Sequence, residues 1–301
     1  MKSEIFAMEH CRLCPRQCGV ARSAQAGEGF CRMGSLPVVA RAALHFGEEP
    51  CISGERGSGA VFFCGCPLHC VFCQNGQISG QKPQTGKAIS VARLREIFAQ
   101  LKEAGAHNIN LVTPTHFAAA IAQALEQPVG LPIVYNCSGY ERIETLRMLE
   151  GKVQIYLPDF KYALKEPAAC YSHAPDYPEV AQAAILEMYR QVGPYCLDAA
   201  GMLQSGVLIR HLVLPGNLEN TRRVIDWVAR QFAPGEILFS LMSQYTPCVQ
   251  TPFVELQRTL AAKEYEQVSQ YLFDAGIEDG FMQELDSATP EFIPAFDLTG
   301  V

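Results

Sequence analysis

From Gly57 onward, short apolar runs alternate with longer amphipathic stretches. The apolar runs cover 59–65, 108–113, 132–138, 153–161, 206–214 and 236–245, and each is bounded by Gly, Pro or polar residues. They are rich in Val, Ile, Leu and Phe and are apolar almost throughout, which predicts strands covered on both faces. Helices are predicted between them at about 90–104, 115–127, 141–150, 176–192, 219–233 and 257–275. In the fifth, Val224, Val228 and Phe232 recur at helical spacing with Ile225 and Trp227 alongside, and in the sixth Leu260, Val268, Tyr271 and Leu272 do the same. Ser90 and Asn217 stand where N-caps are needed.

Strands alternating with helices in this way predict a parallel sheet built from right-handed crossovers. An open doubly wound sheet and a partial barrel of the triosephosphate-isomerase type both fit that order. Polar residues gather where the apolar runs stop: Thr113 and Thr115, Asn136 and Ser138, Asp159 and Lys161, and Gln244. In a barrel these positions converge on one mouth, where active sites of this architecture lie. The expected fold is therefore α/β, a partial (β/α)6 barrel over 58–301. Residues 1–57 lack the rhythm and hold Gly, Pro and clustered cysteines, so they are read as a small metal-stabilised lobe.

The chain has 301 residues and a formal net charge of −7, which argues against a nucleic-acid backbone as its main partner. No run approaches the roughly 18 uninterrupted apolar residues needed to span a bilayer. The first residues lack the basic start and apolar run of a signal peptide. A cytoplasmic protein without a membrane partner is expected. The thirteen cysteines are an odd number in a long chain without an export signal, so a disulfide framework is disfavoured. Cys137, Cys170, Cys196 and Cys248 stand alone, and Cys170 and Cys196 read as small hydrophobic residues.

Spacing singles out the stretch GAVFFCGCPLHCVFCQNG, from Gly59 to Gly76. A strand-like run ends directly in Cys66-x3-Cys70-x2-Cys73, crowding three thiols into one loop. Three thiolates can bind three irons of a 4Fe–4S cluster and leave the fourth without a protein ligand. An open position suits a reactive site, whereas four-ligand sites serve structure or electron transfer. Phe72, just before the last cysteine, is placed to shield a cluster. A zinc site completed by His69 or Cys64 is the alternative, and the α/β rhythm around the loop disfavours it.

This Cys-x3-Cys-x-aromatic-Cys stretch resembles the signature of the radical S-adenosylmethionine superfamily. The resemblance implies that S-adenosylmethionine chelates the open iron and is cleaved by one electron to a 5′-deoxyadenosyl radical that abstracts hydrogen. It also implies that the protein's part is to bind, orient and exclude side reactions. The nearer resemblance, over about Ser53 to Cys248, is to the pyruvate formate-lyase activating enzyme group. Asp159-Phe160-Lys161 is similar to that group's Asp-x-Lys motif. Two charges closing an apolar strand face suggest a charged ligand such as the amino-acid end of S-adenosylmethionine, or else a self-satisfied ion pair. Ile209 to Gly216 resembles the group's fifth-strand motif, in which an arginine points to the cofactor. That implies Arg210 facing the interior and His211 facing the helices. By the same resemblance Asn136 and Ser138 contact the adenosyl part and Gln244 lies near a polar site position. The group's Gly-Gly-Glu-like segment is replaced here by Val112-Thr113-Pro114-Thr115-His116, where the hydroxyls of Thr113 and Thr115 would have to substitute.

A second set, Cys11-x2-Cys14-x3-Cys18-x12-Cys31, resembles the opening of a poorly characterised subgroup of activating-enzyme-like proteins. Four thiolates can close a zinc site or hold an auxiliary 4Fe–4S cluster, and four unliganded cysteines are the remaining possibility. Between the sets, His45, Glu48 and Glu49 are candidates to close over the barrel mouth and contact substrate or transfer a proton.

The expected function is hydrogen abstraction from a backbone glycine of a partner glycyl radical enzyme, with flavodoxin or ferredoxin as low-potential electron donor, in low-oxygen metabolism. The alternatives are a radical enzyme acting on a small molecule or peptide, and a non-catalytic iron–sulfur or zinc protein.

Overall fold

The structure, a computed structural model, describes residues 8–24, 27–80, 85–285 and 294–301. Its strands are β1 (Val38–His45), β2 (Ser58–Phe63), β3 (Lys87–Ala88), β4 (Ile109–Val112), β5 (Ile133–Cys137), β6 (Ile155–Pro158), β7 (Cys196–Leu197), β8 (Leu203–Leu212), β9 (Leu238–Met242) and β10 (Gly280–Met282). The helices are α1 (Pro50–Ser53), α2 (Gly76–Ser79), α3 (Val91–Glu103), α4 (Ala118–Ala124), α5 (Ile143–Met148), α6 (Lys165–Ser172), α7 (Tyr177–Val192), α8 (Leu218–Gln231) and α9 (Ala262–Asp274). Every strand and helix expected from the hydrophobic pattern has a counterpart.

The sheet runs β10-β9-β8-β6-β5-β4-β2-β1-β3, and every neighbouring pair from β2 to β10 is parallel. Helical crossovers carry the chain from each long parallel strand to the next, and the sheet does not close on itself among the described residues: a partial α/β barrel. β2, β4, β5, β6 and β9 are buried at every position, which is why they read as unbroken apolar runs. Ser90 caps α3 by accepting the Arg93 amide at 3.1 Å. Asn217 sits at the N-cap position of α8, but its amide turns back to Pro215 O at 2.9 Å.

Two features depart from the expected layout. A further parallel strand, β10, extends the sheet beyond β9, and at three residues it is too short to carry a hydrophobic signal. More important, β1 pairs antiparallel with β2 along its length. Residues 38–45 therefore belong to the sheet, although the break at 57 would put them in the N-terminal lobe. Arg41 and His45 interrupt the apolar pattern of β1 and hid it.

The main core lies between sheet and helices. A second, smaller core fills the barrel interior with Val134, Ile155, Leu157, Leu203, Leu208 and Leu238, packed on Cys51 and Ile52 of α1. The chain thus leaves β1, pushes α1 into the barrel from the N-terminal end of the strands, and returns to β2. Asn108, just ahead of β4, donates to Ile52 O at 2.8 Å and accepts from Ser58 Oγ at 2.6 Å, which pins this plug. No helix is long and apolar enough to cross a membrane among the described residues.

Candidate active site

β2 delivers the cysteine loop to the C-terminal end of the barrel. Gly65 turns the chain out of the strand at φ +77°, where a Cβ would meet Met33 Cγ at 2.6 Å and Cys31 O at 2.9 Å. Only glycine fits that close approach of the N-terminal segment. Cys66 is buried, and Cys70 and Cys73 are half-buried. Each sulfur accepts a hydrogen bond: Cys66 from the Leu68 amide at 3.3 Å, Cys70 from Ser172 Oγ at 3.1 Å, and Cys73 from Ser79 Oγ at 3.2 Å. Burial pushes the Cys66 thiol up to about 12, and the charges of Cys70 and Cys73 push the same way. Sulfurs that accept hydrogen bonds yet repel one another are a donor set suited to cationic iron.

All three cysteines open into a cavity of about 550 Å³, which Phe72, Thr113, Asn136, Ser138, Asp159, Lys161, Arg210 and Gln244 also line. Phe72 is held edge-on between Tyr171 and Tyr245, with ring centroids 6.4 and 6.2 Å away. Gln244 is fixed by Gln74 Nε2 on its carbonyl oxygen at 3.3 Å and Gln283 Nε2 on its Oε1 at 3.0 Å. Thr113 adopts φ +59°, a left-handed conformation costly for a β-branched residue, while its amide donates to Asn136 O at 2.8 Å. Thr115 is elsewhere: it is fully buried behind the strand, bonding Glu141 Oε1 at 2.5 Å, and does not reach the cavity.

A chain of charges crosses the cavity. Lys161 Nζ contacts Asp159 Oδ2 at 2.5 Å, and Asp159 Oδ1 accepts from Arg210 Nε at 3.0 Å. Arg210 then reaches Glu48 Oε2 at 2.7 Å and Asn136 Oδ1 at 2.6 Å. Glu48 Oε1 closes the network by accepting from Asn110 Nδ2 and Asn136 Nδ2, each at 3.0 Å. Burial works against the Asp159 carboxylate, but Lys161 and Arg210 overcome it and hold its pKa below the ordinary value. Burial likewise opposes the Lys161 charge, yet Asp159 and the nearby Cys70 raise its pKa. That places Lys161 at the cysteine end of the network and Glu48 at the other. His211 faces the helices, with Nδ1 2.6 Å from Phe160 O and Nε2 2.9 Å from Thr221 Oγ1.

His45, Glu48 and Glu49 line the cavity, but as its floor and not as a lid. The reason is the plug: α1 fills the barrel from below, so the residues preceding it point upward. Cys64 bonds Thr85 O at 3.1 Å, and His69 stacks on Phe30 at 4.5 Å with its buried Nε2 unpartnered. Among the described residues, no three His, Cys, Asp or Glu side chains converge tightly enough to hold a single metal ion.

The N-terminal cysteines do share one neighbourhood. Burial pushes Cys14 up to about 12, with repulsion from Cys31, Cys11 and Cys18 adding to it. Cys18 Sγ accepts the Phe30 amide at 3.3 Å, and buried Arg22 contacts Cys11 Sγ at 3.6 Å while donating to Met33 O at 3.0 Å and His116 O at 2.8 Å. Arg16, between Cys14 and Cys18, donates to Pro67 O at 2.9 Å, Ser172 O at 2.9 Å and His173 O at 2.5 Å. The segment is thereby fastened to both the cysteine loop and the residue that bonds Cys70.

Sequence reasoning missed Asn110, Ser79, Ser172, Arg16 and Arg22. Asn110 carried a signal, being the one polar residue within Ile109–Val112. Ser172, Arg16 and Arg22 carried none, since each has partners far away in the chain, and Ser79, though six residues from Cys73, stands in no motif that marks it. Cys170 and Cys196, read as small buried hydrophobes, are both exposed.

No family model matches the chain. An uncharacterized protein of Methanocaldococcus jannaschii, MJ0674, is 27% identical over 269 residues, covering 86% of this chain and 73% of the relative. Among solved structures, SuiB of Streptococcus suis superposes with a TM-score of 0.48 at 13% identity, over 78% of this chain and 50% of SuiB. Methylornithine synthase PylB gives 0.48 at 13% identity over 87% of this chain and 72% of PylB. A mutant form of spore photoproduct lyase gives 0.46 at 13% identity over 73% of this chain and 74% of the lyase. The chain thus spans half the length of SuiB. Likenesses this distant carry no functional argument, which rests on the residues of this chain.

Proposed function

We propose that this chain is a radical S-adenosylmethionine enzyme whose 4Fe–4S cluster is held by Cys66, Cys70 and Cys73. The observation that carries the reading is one loop at a barrel mouth presenting three hydrogen-bonded thiols to a large charged cavity. When bound, the cluster supplies one-electron cleavage of S-adenosylmethionine for hydrogen abstraction. Lys161 and Asp159, next to the loop, would hold the charged amino-acid end of S-adenosylmethionine. Asn136, Ser138 and the strained backbone at Thr113 would orient its adenosyl end, and Phe72 would keep water from the cluster. Cys11, Cys14, Cys18 and Cys31 would hold a second site, an iron–sulfur cluster in place of a single zinc ion, because the four share one neighbourhood without converging on one metal position.

For the substrate, the floored cavity supports a small molecule or peptide side chain over the backbone glycine of a glycyl radical enzyme. Beyond the residues assigned to S-adenosylmethionine the cavity ends in the carboxylates of Glu48 and Glu49, which a glycine, having no side chain, could not engage.

The test is anaerobic reconstitution, reduction and measurement of 5′-deoxyadenosine. The reading expects product with the wild type and none with Cys70→Ala. It fails if a fully loaded, reduced wild-type protein neither binds nor cleaves S-adenosylmethionine. Stimulation by a glycyl radical enzyme but by no small molecule or peptide would restore the activating-enzyme alternative.

A further inference from the structure

The floor of the cavity contains one carboxylate more than its cations can pair. Lys161 and Arg210 face Asp159, Glu48 and Glu49, and the ion pairs Lys161–Asp159 and Arg210–Glu48 are both made. Arg210's remaining nitrogens go to Asp159 and Asn136. Glu49 is left over. It is 9% exposed, and its Oε2 has no hydrogen-bond partner although it is buried. Another cavity-lining group, Ser138 Oγ, shares that condition, while the Ser240 hydroxyl stands next to Glu49 and is the one neutral side chain that lowers its pKa by hydrogen bonding. Burial raises the Glu49 pKa against the pull of Arg210, a penalty that a bound cation would lift. His45 also faces this space, and burial lowers its pKa, so it brings no charge at neutral pH to offset Glu49.

Buried polar atoms without partners are costly, and an acceptor-only carboxylate can be satisfied only by a ligand bringing donors. Glu49 lies beyond the residues assigned to the ligand of the cysteine loop, Lys161, Asp159 and Asn136. The charge chain runs from Cys70 through Lys161, Asp159 and Arg210 to Glu48, and Glu49 follows Glu48 at its far end. The plug holds it there: Glu49 O accepts the amides of Ile52 at 2.8 Å and Ser53 at 3.0 Å.

We propose that Glu49 is the recognition residue for a cationic, donor-rich group of the substrate, a primary ammonium or guanidinium, seated on the cavity floor beside Ser240. This deepens the proposed function and rests on it. Such a group pairs with the odd carboxylate and gives donors to Ser240 Oγ. A neutral donor would satisfy the hydrogen bond but leave the buried charge uncompensated, and an anionic group would be repelled, so charge selects the substrate.

The experiment uses the anaerobically reconstituted full chain with saturating S-adenosylmethionine. Binding of agmatine, of the peptide acetyl-Gly-Gly-Arg-Gly-Gly-amide, and of glutarate is measured by calorimetry. At least one cationic probe should bind and glutarate should not. The free amine binding alone points to a metabolite, and the peptide binding alone to a peptide side chain. Glu49→Gln, which keeps shape and removes charge, should weaken the cation by about tenfold or more, and Glu49→Asp by less. The inference is overturned if neither cation binds, if glutarate binds equally, or if Glu49→Gln leaves affinity unchanged. S-adenosylmethionine binding and cleavage by the wild type, measured in the same preparation, report on the enzyme reading separately.

Discussion

Arg210 and Glu48 stand 162 positions apart in the chain and 2.7 Å apart in the fold. One comes from the middle of the parallel sheet and the other from the segment that plugs the barrel. Their ion pair ties the floor of the cavity to its wall, and both side chains are largely buried.

Removing one partner of that pair strands the others. Arg210→Ala leaves Asp159 without one of its two cations and Glu48 with only amide donors. A loss of about 3–5 kcal/mol is expected, measurable by chemical denaturation. The double variant Arg210→Met, Glu48→Gln should recover part of it, because it removes the uncompensated charge.

Ser172 bonds Cys70 and also lies 2.8 Å from the Tyr162 hydroxyl. Ser172→Ala should cost about 1 kcal/mol of stability. In the reconstituted protein it should also shift the reduction potential to more negative values, because hydrogen bonds to cluster sulfurs favour the reduced state. Potentiometric titration followed by electron paramagnetic resonance checks this, and an unchanged potential would remove Ser172 from the cluster's environment.

Arg16 clamps the N-terminal segment to the cysteine loop through Pro67 O and to the end of α6 through the Ser172 and His173 carbonyls. Arg16→Ala should cost about 2 kcal/mol and speed amide exchange in both the 8–24 segment and the loop after Pro67. Arg16→Lys should rescue little, since an ammonium cannot reproduce the planar fork. Faster exchange in the segment alone would mean that the two regions are not coupled.

Glu141 is buried, and that burial pushes its carboxyl up to about 8 despite hydrogen bonds from Thr115 and Tyr135. The folded state therefore keeps a proton that the unfolded state releases near the ordinary value of 4.5. Its stabilising contribution is complete below that value and is lost as pH rises toward about 8. Thermal denaturation of wild type and Glu141→Gln should show wild type losing ground to the variant across this window. A constant difference would mean that Glu141 is ionised in the folded protein.

The barrel strands, most of the helices and the cysteine loop were legible in the chain itself. Fully buried parallel strands write unbroken apolar runs, and ligands that share one loop must be close in sequence. Strand alternation also separated Arg210 from His211, because neighbouring residues on a strand face opposite sides. What the tertiary structure decided were contacts between distant segments. The position of α1 inside the barrel turned Glu48 and Glu49 into a floor, and no local pattern distinguishes a plug from a lid. Thr115 looked equivalent to Thr113 until the turn at φ +59° sent it behind the strand. Ser172 and Arg16 reach the cysteine loop only through packing. Periodicity reports which face of an element is buried, but which segments meet there depends on the closure of the whole sheet.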